Sequence, residues 1–175
     1  MVLQELQRQQ TEIAQDEFAL YVLDGFGLYM LVISVWKFDK KALSLYLKNN
    51  VARETLVKQR KKDGNIFYYN IATSFDIETT SYTYKNEKCA FMYIWQFAIN
   101  DFIFYGRSWD EFLQAIDIIS DVLDTNVNKR FVVYVHNLSF EFQFMRKYLE
   151  WENVFSLDER KPIKALTTNG IEFRC

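Results

Sequence analysis

Apolar and polar positions change period several times along the chain, and each change marks an element. From Phe18 to Trp36 the residues are almost continuously apolar, broken by Asp24-Gly25 and Gly27. Asp-Gly between apolar runs predicts a hairpin turn. The run is also close to the ~20 residues that a membrane helix needs. Lys37, Lys40 and Lys41 follow it, as they would on the cytoplasmic side of a span. Asp24 inside the run counts against a span, because a charge in the bilayer is costly. A buried hairpin or helix, or an appended extension, competes with the membrane reading. The Gln- and Glu-rich residues 1–17 predict a polar helix, and with that segment before it and no small-residue cleavage site after it the apolar run is no obvious signal peptide. Residues 38–62 predict a second helix ending in Lys58-Gln59-Arg60-Lys61-Lys62, and Asp63-Gly64-Asn65 breaks the pattern. Residues 1–65 are therefore expected to form a helical amino-terminal extension with an apolar segment at 18–36. Residues 66–175 are expected to form a separate domain.

From Ile66 the pattern turns strand-like. Phe67 to Ile77 is rich in aromatic and β-branched residues, and apolar runs at 89–99 and 101–105 flank Asn100 as a hairpin. Ser108-Trp109-Asp110-Glu111 has the form of a capping box. Phe112, Leu113, Ile116, Ile119 and Leu123 then recur at helical spacing. A strand follows at 131–136, then a helix that Ser139 could cap, bearing Phe140, Phe144 and Tyr148. Glu150-Trp151-Glu152 reads as the solvated end of that helix. Strands at 163–168 and 171–174 flank Asn169-Gly170, a strong turn signal. The order strand, strand, strand, helix, strand, helix, strand, strand predicts an α/β fold, a mixed sheet flanked by helices. The last strand-like run is still open at Cys175, which suggests a truncated domain.

Composition narrows the chemistry. Half of the chain is hydrophobic, with sixteen Phe and eleven Tyr, so a large aromatic core is available. One proline and five glycines exclude a low-complexity chain. Cys89 and Cys175 supply neither a disulfide framework nor a CxxC metal site. With a single histidine, a Ser/His or Cys/His pair could rest only on His136, and a histidine-rich zinc site is excluded. A net charge of −2 argues against a general polyanion binder. The charge is uneven, however: residues 37–62 hold nine Lys/Arg against two Asp/Glu, and residues 76–124 hold three against nine. A basic flank beside an acidic face could attract nucleic acid and keep a cation site; two solvated faces would give the same pattern.

The acids stand in suggestive places. In Phe75-Asp76-Ile77-Glu78-Thr79-Thr80 the residues at i and i+2 share a strand face, so Asp76 and Glu78 point the same way. The strand is expected to stop there. Adjacent carboxylates repel, and a shared proton or a divalent cation relieves them. Glu141, in Tyr134-Val135-His136-Asn137-Leu138-Ser139-Phe140-Glu141, would arrive at a helix start as the third oxygen donor. Two divalent ions, Mg²⁺ or Mn²⁺, held by Asp76, Glu78 and Glu141 could make a nucleophile from water and stabilise a leaving oxygen in phosphodiester cleavage. Thr79, Asn137 and Phe140 add a hydroxyl, an amide and a ring suited to a single strand. Taken alone, Asn137 could simply bond backbone in the turn, and His136 suits a structural hydrogen bond better than a metal.

The two motifs resemble the first and second exonuclease motifs of family B DNA polymerases, most closely the protein-primed branch of bacteriophages and linear mobile elements. The resemblance spans about residues 66–175. It implies an RNase H-like 3′–5′ exonuclease fold, incomplete here, at the amino-terminal side of a polymerase that copies DNA from a terminal-protein primer. By position it makes Asp76 and Glu78 catalytic metal ligands and Thr79 a DNA contact. It places Tyr134, His136, Asn137 and Phe140 in a nucleic-acid-binding second motif. Glu141 stands where the family usually has Asp. The family's third motif, a Tyr and an Asp a few residues apart, has no convincing copy, so the isolated chain is expected to be inactive. The resemblance further implies single-stranded and primer-template DNA as partners and the cytoplasm of a bacterial host as the location. Two alternatives remain: a binding module of the same fold that holds single-stranded nucleic acid without cutting, and a protein attached to a membrane through 18–36.

Overall fold

The computed structural model describes residues 15–24, 27–62 and 64–175, with side chains from residue 35 onward. The polar helix expected over 1–17 lies outside the described residues except for 15–17, which open a strand. β1 (Gln15–Asp24) and β2 (Gly27–Lys37) pair antiparallel from Asp24↔Gly27 outward, a hairpin at the Asp-Gly signal. Among the described residues no helix is long and apolar enough to cross a membrane.

Among the described residues of the amino-terminal extension, helix is found over 40–51. Asp39 caps α1 (Lys40–Tyr46), accepting from Ala42 N at 2.8 Å. The helix widens over Leu47–Val51, where Ala52 N donates to Leu47 O at 2.8 Å. Leu43, Leu47 and Val51 are buried, and Tyr46 Oη donates to Ile99 O at 3.0 Å, tying the helix to the sheet. The basic stretch expected to end a long helix is instead β3 (Leu56–Lys61), paired with β4 (Gly64–Tyr69) from Lys61↔Gly64. Its residues after Leu56 are exposed. A helix there would have no apolar stripe to bury, and pairing with β4 overrides its propensity.

β4 ends at Tyr69, so the single strand expected over 67–77 is two strands. β5 (Thr73–Tyr84), β6 (Glu87–Ile99) and β7 (Phe102–Gly106) form an antiparallel meander. Lys85 and Asn86, at φ 48° and 62°, make the first of its two-residue turns. α2 (Trp109–Leu123) starts at the Ser108/Glu111 capping box and ends at Asp124 in the left-handed region. β8 (Lys129–Val135), α3 (Leu138–Met145), β9 (Trp151–Ser156), β10 (Pro162–Thr167) and β11 (Ile171–Arg174) complete the chain. Two expectations fail here. Asn137, not Ser139, caps α3, and Trp151 opens β9 where a helix end was expected.

The strands run in the order β1-β2-β7-β6-β5-β8-β11-β10-β9, with the β3–β4 hairpin branching from β8. β8 is central. On one side it takes β4 at its first residues, Phe67↔Lys129, and β5 at its last, Phe75↔Val135, both parallel. On the other side it takes β11, also parallel.

The mixed α/β architecture is organised by one aromatic core. Phe75 packs against Phe112 of α2 at 4.8 Å between ring centroids, Phe97 at 5.9 Å and Phe173 at 6.2 Å. Leu43 of α1 and Leu138 and Met145 of α3 join the same cluster. The helices thus cover the face that Phe75, Phe131 and Val133 share. The alternate residues Ser74, Asp76 and Tyr134 stay exposed on the other. Gly106 lies opposite Trp95, whose ring is fully buried and donates Nε1–H to Ser108 O at 2.9 Å. A Cβ on Gly106 would come within 2.4 Å of that ring. Gly106→Ala is therefore expected to destabilise the fold by roughly 1–3 kcal/mol through overpacking. Urea unfolding should show a lower midpoint with an unchanged m value.

Candidate functional site

Strand alternation sets the stage. Phe75 and Ile77 are 2 % and 5 % exposed, so Asp76 and Glu78 between and after them project from the opposite face. The strand does not stop at Glu78 as expected. β5 continues to Tyr84, and the irregularity falls on its partner: Glu78 pairs with Ile94 but Thr79 with Met92, which leaves Tyr93 as an extra residue. Such a bulge bends the sheet and re-aims side chains, and it sits directly beside the acids.

Glu141 enters from the first turn of α3. It lies three residues after Leu138 and four before Met145, so the three share one side of the helix, and all three are buried. Glu141 is only 3 % exposed, and its Oε2 has no hydrogen-bond partner. Burial, above all, pushes its pKa up to about 7. Its own backbone N–H opposes the shift; the charge and close approach of the Asp76 carboxylate add to it. Asp76, on β5, and Glu141, on the helix that follows the adjacent β8, thus form a carboxylate pair at the rim of the sheet.

A buried, partnerless acid oxygen facing a second carboxylate fits a hard divalent cation. Mg²⁺ in particular is held by one or two carboxylates, with water or phosphate completing the shell. Glu78 shares the exposed face of β5 with Asp76 but stands outside the Asp76–Glu141 pair. Among the described residues no group of three or more His, Cys, Asp or Glu converges as a ligand set.

The remaining residues surround this pair unevenly. Thr79 is half-buried on β5 beside the bulge. Asn137 Oδ1 accepts from Phe140 N at 3.3 Å, which leaves its amide NH₂ free of the cap. Phe140 is 41 % exposed and lies 5.0 Å from Phe144. His136 is exposed, and its backbone oxygen accepts from Cys175 Sγ at 3.6 Å. Tyr134 is half-exposed on the helix-free face, opposite Ser74 and Arg174 in register.

One cluster was not anticipated. Glu172, fully buried in β11, is gripped by the guanidinium groups of Arg130 and Arg174. Arg174 also lies 4.9 Å over the Tyr68 ring, and Arg130 Nε donates to Val127 O at 2.6 Å. The alternation of Glu172 and Arg174 on a short strand was the available signal; the partner Arg130 comes from far earlier in the chain. Compared with known proteins, the chain matches no family model, no curated protein and no solved structure.

The buried acid has a measurable consequence. Between about 4.5 and 7 the folded chain holds a proton on Glu141 that the unfolded chain releases. Stability contributed by this group is therefore present at low pH and lost as pH rises through that window. Without added metal, the unfolding free energy from urea titration is expected to fall by about 2–3 kcal/mol between pH 5 and pH 8 on this account. Glu141→Gln should flatten that portion of the profile.

Proposed function

We propose that the chain carries a divalent-metal-dependent 3′–5′ exonuclease centre, the proofreading portion of a protein-primed family B DNA polymerase. The observation that carries this reading is the buried Glu141 carboxylate, one oxygen of which has no hydrogen-bond partner, held against Asp76. An acid in that environment is costly to keep unless a proton or a cation shares it. The strand order β7-β6-β5-β8-β11 also supports the reading, with β6 antiparallel to β5 and with β8 and β11 parallel to it. That is the arrangement expected of an RNase H-like sheet, with the motif acids on β5 and just beyond β8.

In this reading Asp76 and Glu141 hold the cation, and Glu78 joins from the same strand as Asp76. A bound Mg²⁺ or Mn²⁺ would supply phosphoryl polarisation and a nucleophilic water near neutral pH. The chain's own groups do the positioning. The free amide of Asn137 and the hydroxyl of Thr79 donate to phosphate or sugar oxygens. The exposed Phe140 ring stacks on or wedges against the terminal base. Glu141 would give up its proton to hold the cation, so cation affinity is expected to rise with pH. Single-stranded DNA reaches the site by its 3′ end, and a terminal protein would prime synthesis in the polymerase portion.

A second reading, a nucleic-acid-binding module that does not cut, is favoured by the convergence of only two of the three acids. The two readings differ in their response to metal. Under the first, millimolar Mn²⁺ raises the melting temperature of the chain at pH 8, and Asp76→Asn or Glu141→Gln abolishes the rise. At a hundredfold excess over Kd the stabilisation amounts to about 2.7 kcal/mol. In a version of the protein that includes the third motif, Asp76→Ala and Glu141→Ala each lower Mn²⁺-dependent release of 3′ nucleotides by at least ~100-fold. Undiminished release by the double variant rejects the catalytic assignment, and absence of any metal response in the chain favours the binding module.

A further inference from the structure

The helix-free face of the sheet carries a row of residues of which only Tyr134 belongs to the exonuclease motifs. Strand register makes Lys164, Arg174, Tyr134 and Ser74 consecutive neighbours across β10, β11, β8 and β5. With strands about 4.8 Å apart the row is roughly 14 Å long. Asp76 follows Ser74 on the same face, roughly 7 Å further along β5.

At the far end the row opens into a groove. Lys61 of β3, with Val127 and Asn128, forms one wall, Lys164 with Asn153 and Glu152 the other, and Arg130 and Leu166 line the groove between them. The charges there are unbalanced. Arg130 and Arg174 share the single carboxylate of Glu172, so that buried cluster keeps one positive charge. Lys61 and Lys164 add two more, and Glu152 removes one. The Glu172 carboxylate fixes both guanidinium groups, so their charge is presented without the entropy cost of ordering them. Beside them Tyr134 offers a half-exposed ring.

From this juxtaposition we infer that the helix-free face is a track for single-stranded DNA. Lys61, Lys164 and the Arg130–Arg174 pair take successive phosphates, and Tyr134 stacks a base just before the Asp76 rim. Fixed cations along a groove with an exposed aromatic ring are what a single strand needs, and they require no base sequence. The surplus of positive charge complements the phosphate backbone on a chain whose net charge is −2. The inference rests on the nucleic-acid reading above and extends it from the cutting rim to the path of the strand.

The test separates the two. Anisotropy of a short labelled oligo-thymidylate is titrated in EDTA, where neither cutting nor cation binding contributes. Lys61→Glu with Lys164→Glu is expected to weaken binding at least ~10-fold. Lys61→Gln with Lys164→Gln should lower the log–log salt slope by about 1.4, near 0.7 for each phosphate left without its lysine. Tyr134→Ala should cost about 5- to 100-fold and leave the salt slope alone. Lys85→Glu with Lys88→Glu, the same charge change at the β5–β6 turn and the first residues of β6, should bind as the unaltered chain does. Equal losses of affinity in the groove and turn variants, or no loss in either, overturn the track. If these patterns hold but the metal response of Asp76 and Glu141 is missing, the nuclease reading falls and the track stands. If the metal response is present and the groove variants bind normally, the track falls and the nuclease reading stands.

Discussion

Everything at the rim depends on the burial of Phe75. Its ring meets Phe97, Phe112 and Phe173, side chains from three different elements, at the centre of the core. Removing such a ring would cost about 3–5 kcal/mol. A strand offers no freedom about the consequence, because the next residue must face the other way. Asp76 is therefore positioned by its neighbour's packing and needs no contact of its own to hold its direction. Ile77 does the same for Glu78. The acids' placement is as robust as the hydrophobic core.

Two buried glutamates show how differently this protein treats the same chemical problem. Glu172 is fully enclosed, and two guanidinium groups satisfy it. Glu141 is nearly as enclosed, yet one of its oxygens has no partner and the charge that acts on it is that of another acid, Asp76. A fold able to pair one carboxylate so thoroughly leaves the other uncompensated at the end of the sheet. Uncompensated burial with a specific like-charge neighbour is the pattern of a working site more than of a structural one. The bulge at Tyr93 adds a second irregularity two to three residues along β5 from Asp76.

Much of this was legible along the chain wherever the signal was local. The Ser108/Glu111 capping box, the Asn169-Gly170 turn and the apolar run at 89–99, which lies within β6, each rest on interactions between residues close in sequence. The burial of Glu141 was legible in principle too, from its spacing to Leu138 and Met145. What escaped was set by partners far away. The Lys- and Arg-rich β3 suits an exposed helix as well as an edge strand, and only β4 decides between them. β9 reads as a helix end because only its first residue, Trp151, is drawn toward the core, where its ring meets Phe142 at 5.0 Å. The arginine clasp on Glu172 joins residues 42 apart in sequence, beyond the reach of any periodicity.

β8 bonds to β4, β5 and β11, and no other strand among those described has three partners. It follows the β5–β6–β7 meander and α2 along the chain. Until it emerges, one side of β5 presents open backbone donors and acceptors, an invitation to wrong pairing. Parallel, long-range closures of this kind are slow to form because loop entropy is lost before any contact rewards it. The carboxylate rim therefore exists only where β8 has closed parallel onto β5, because that pairing carries the following helix and Glu141 to Asp76.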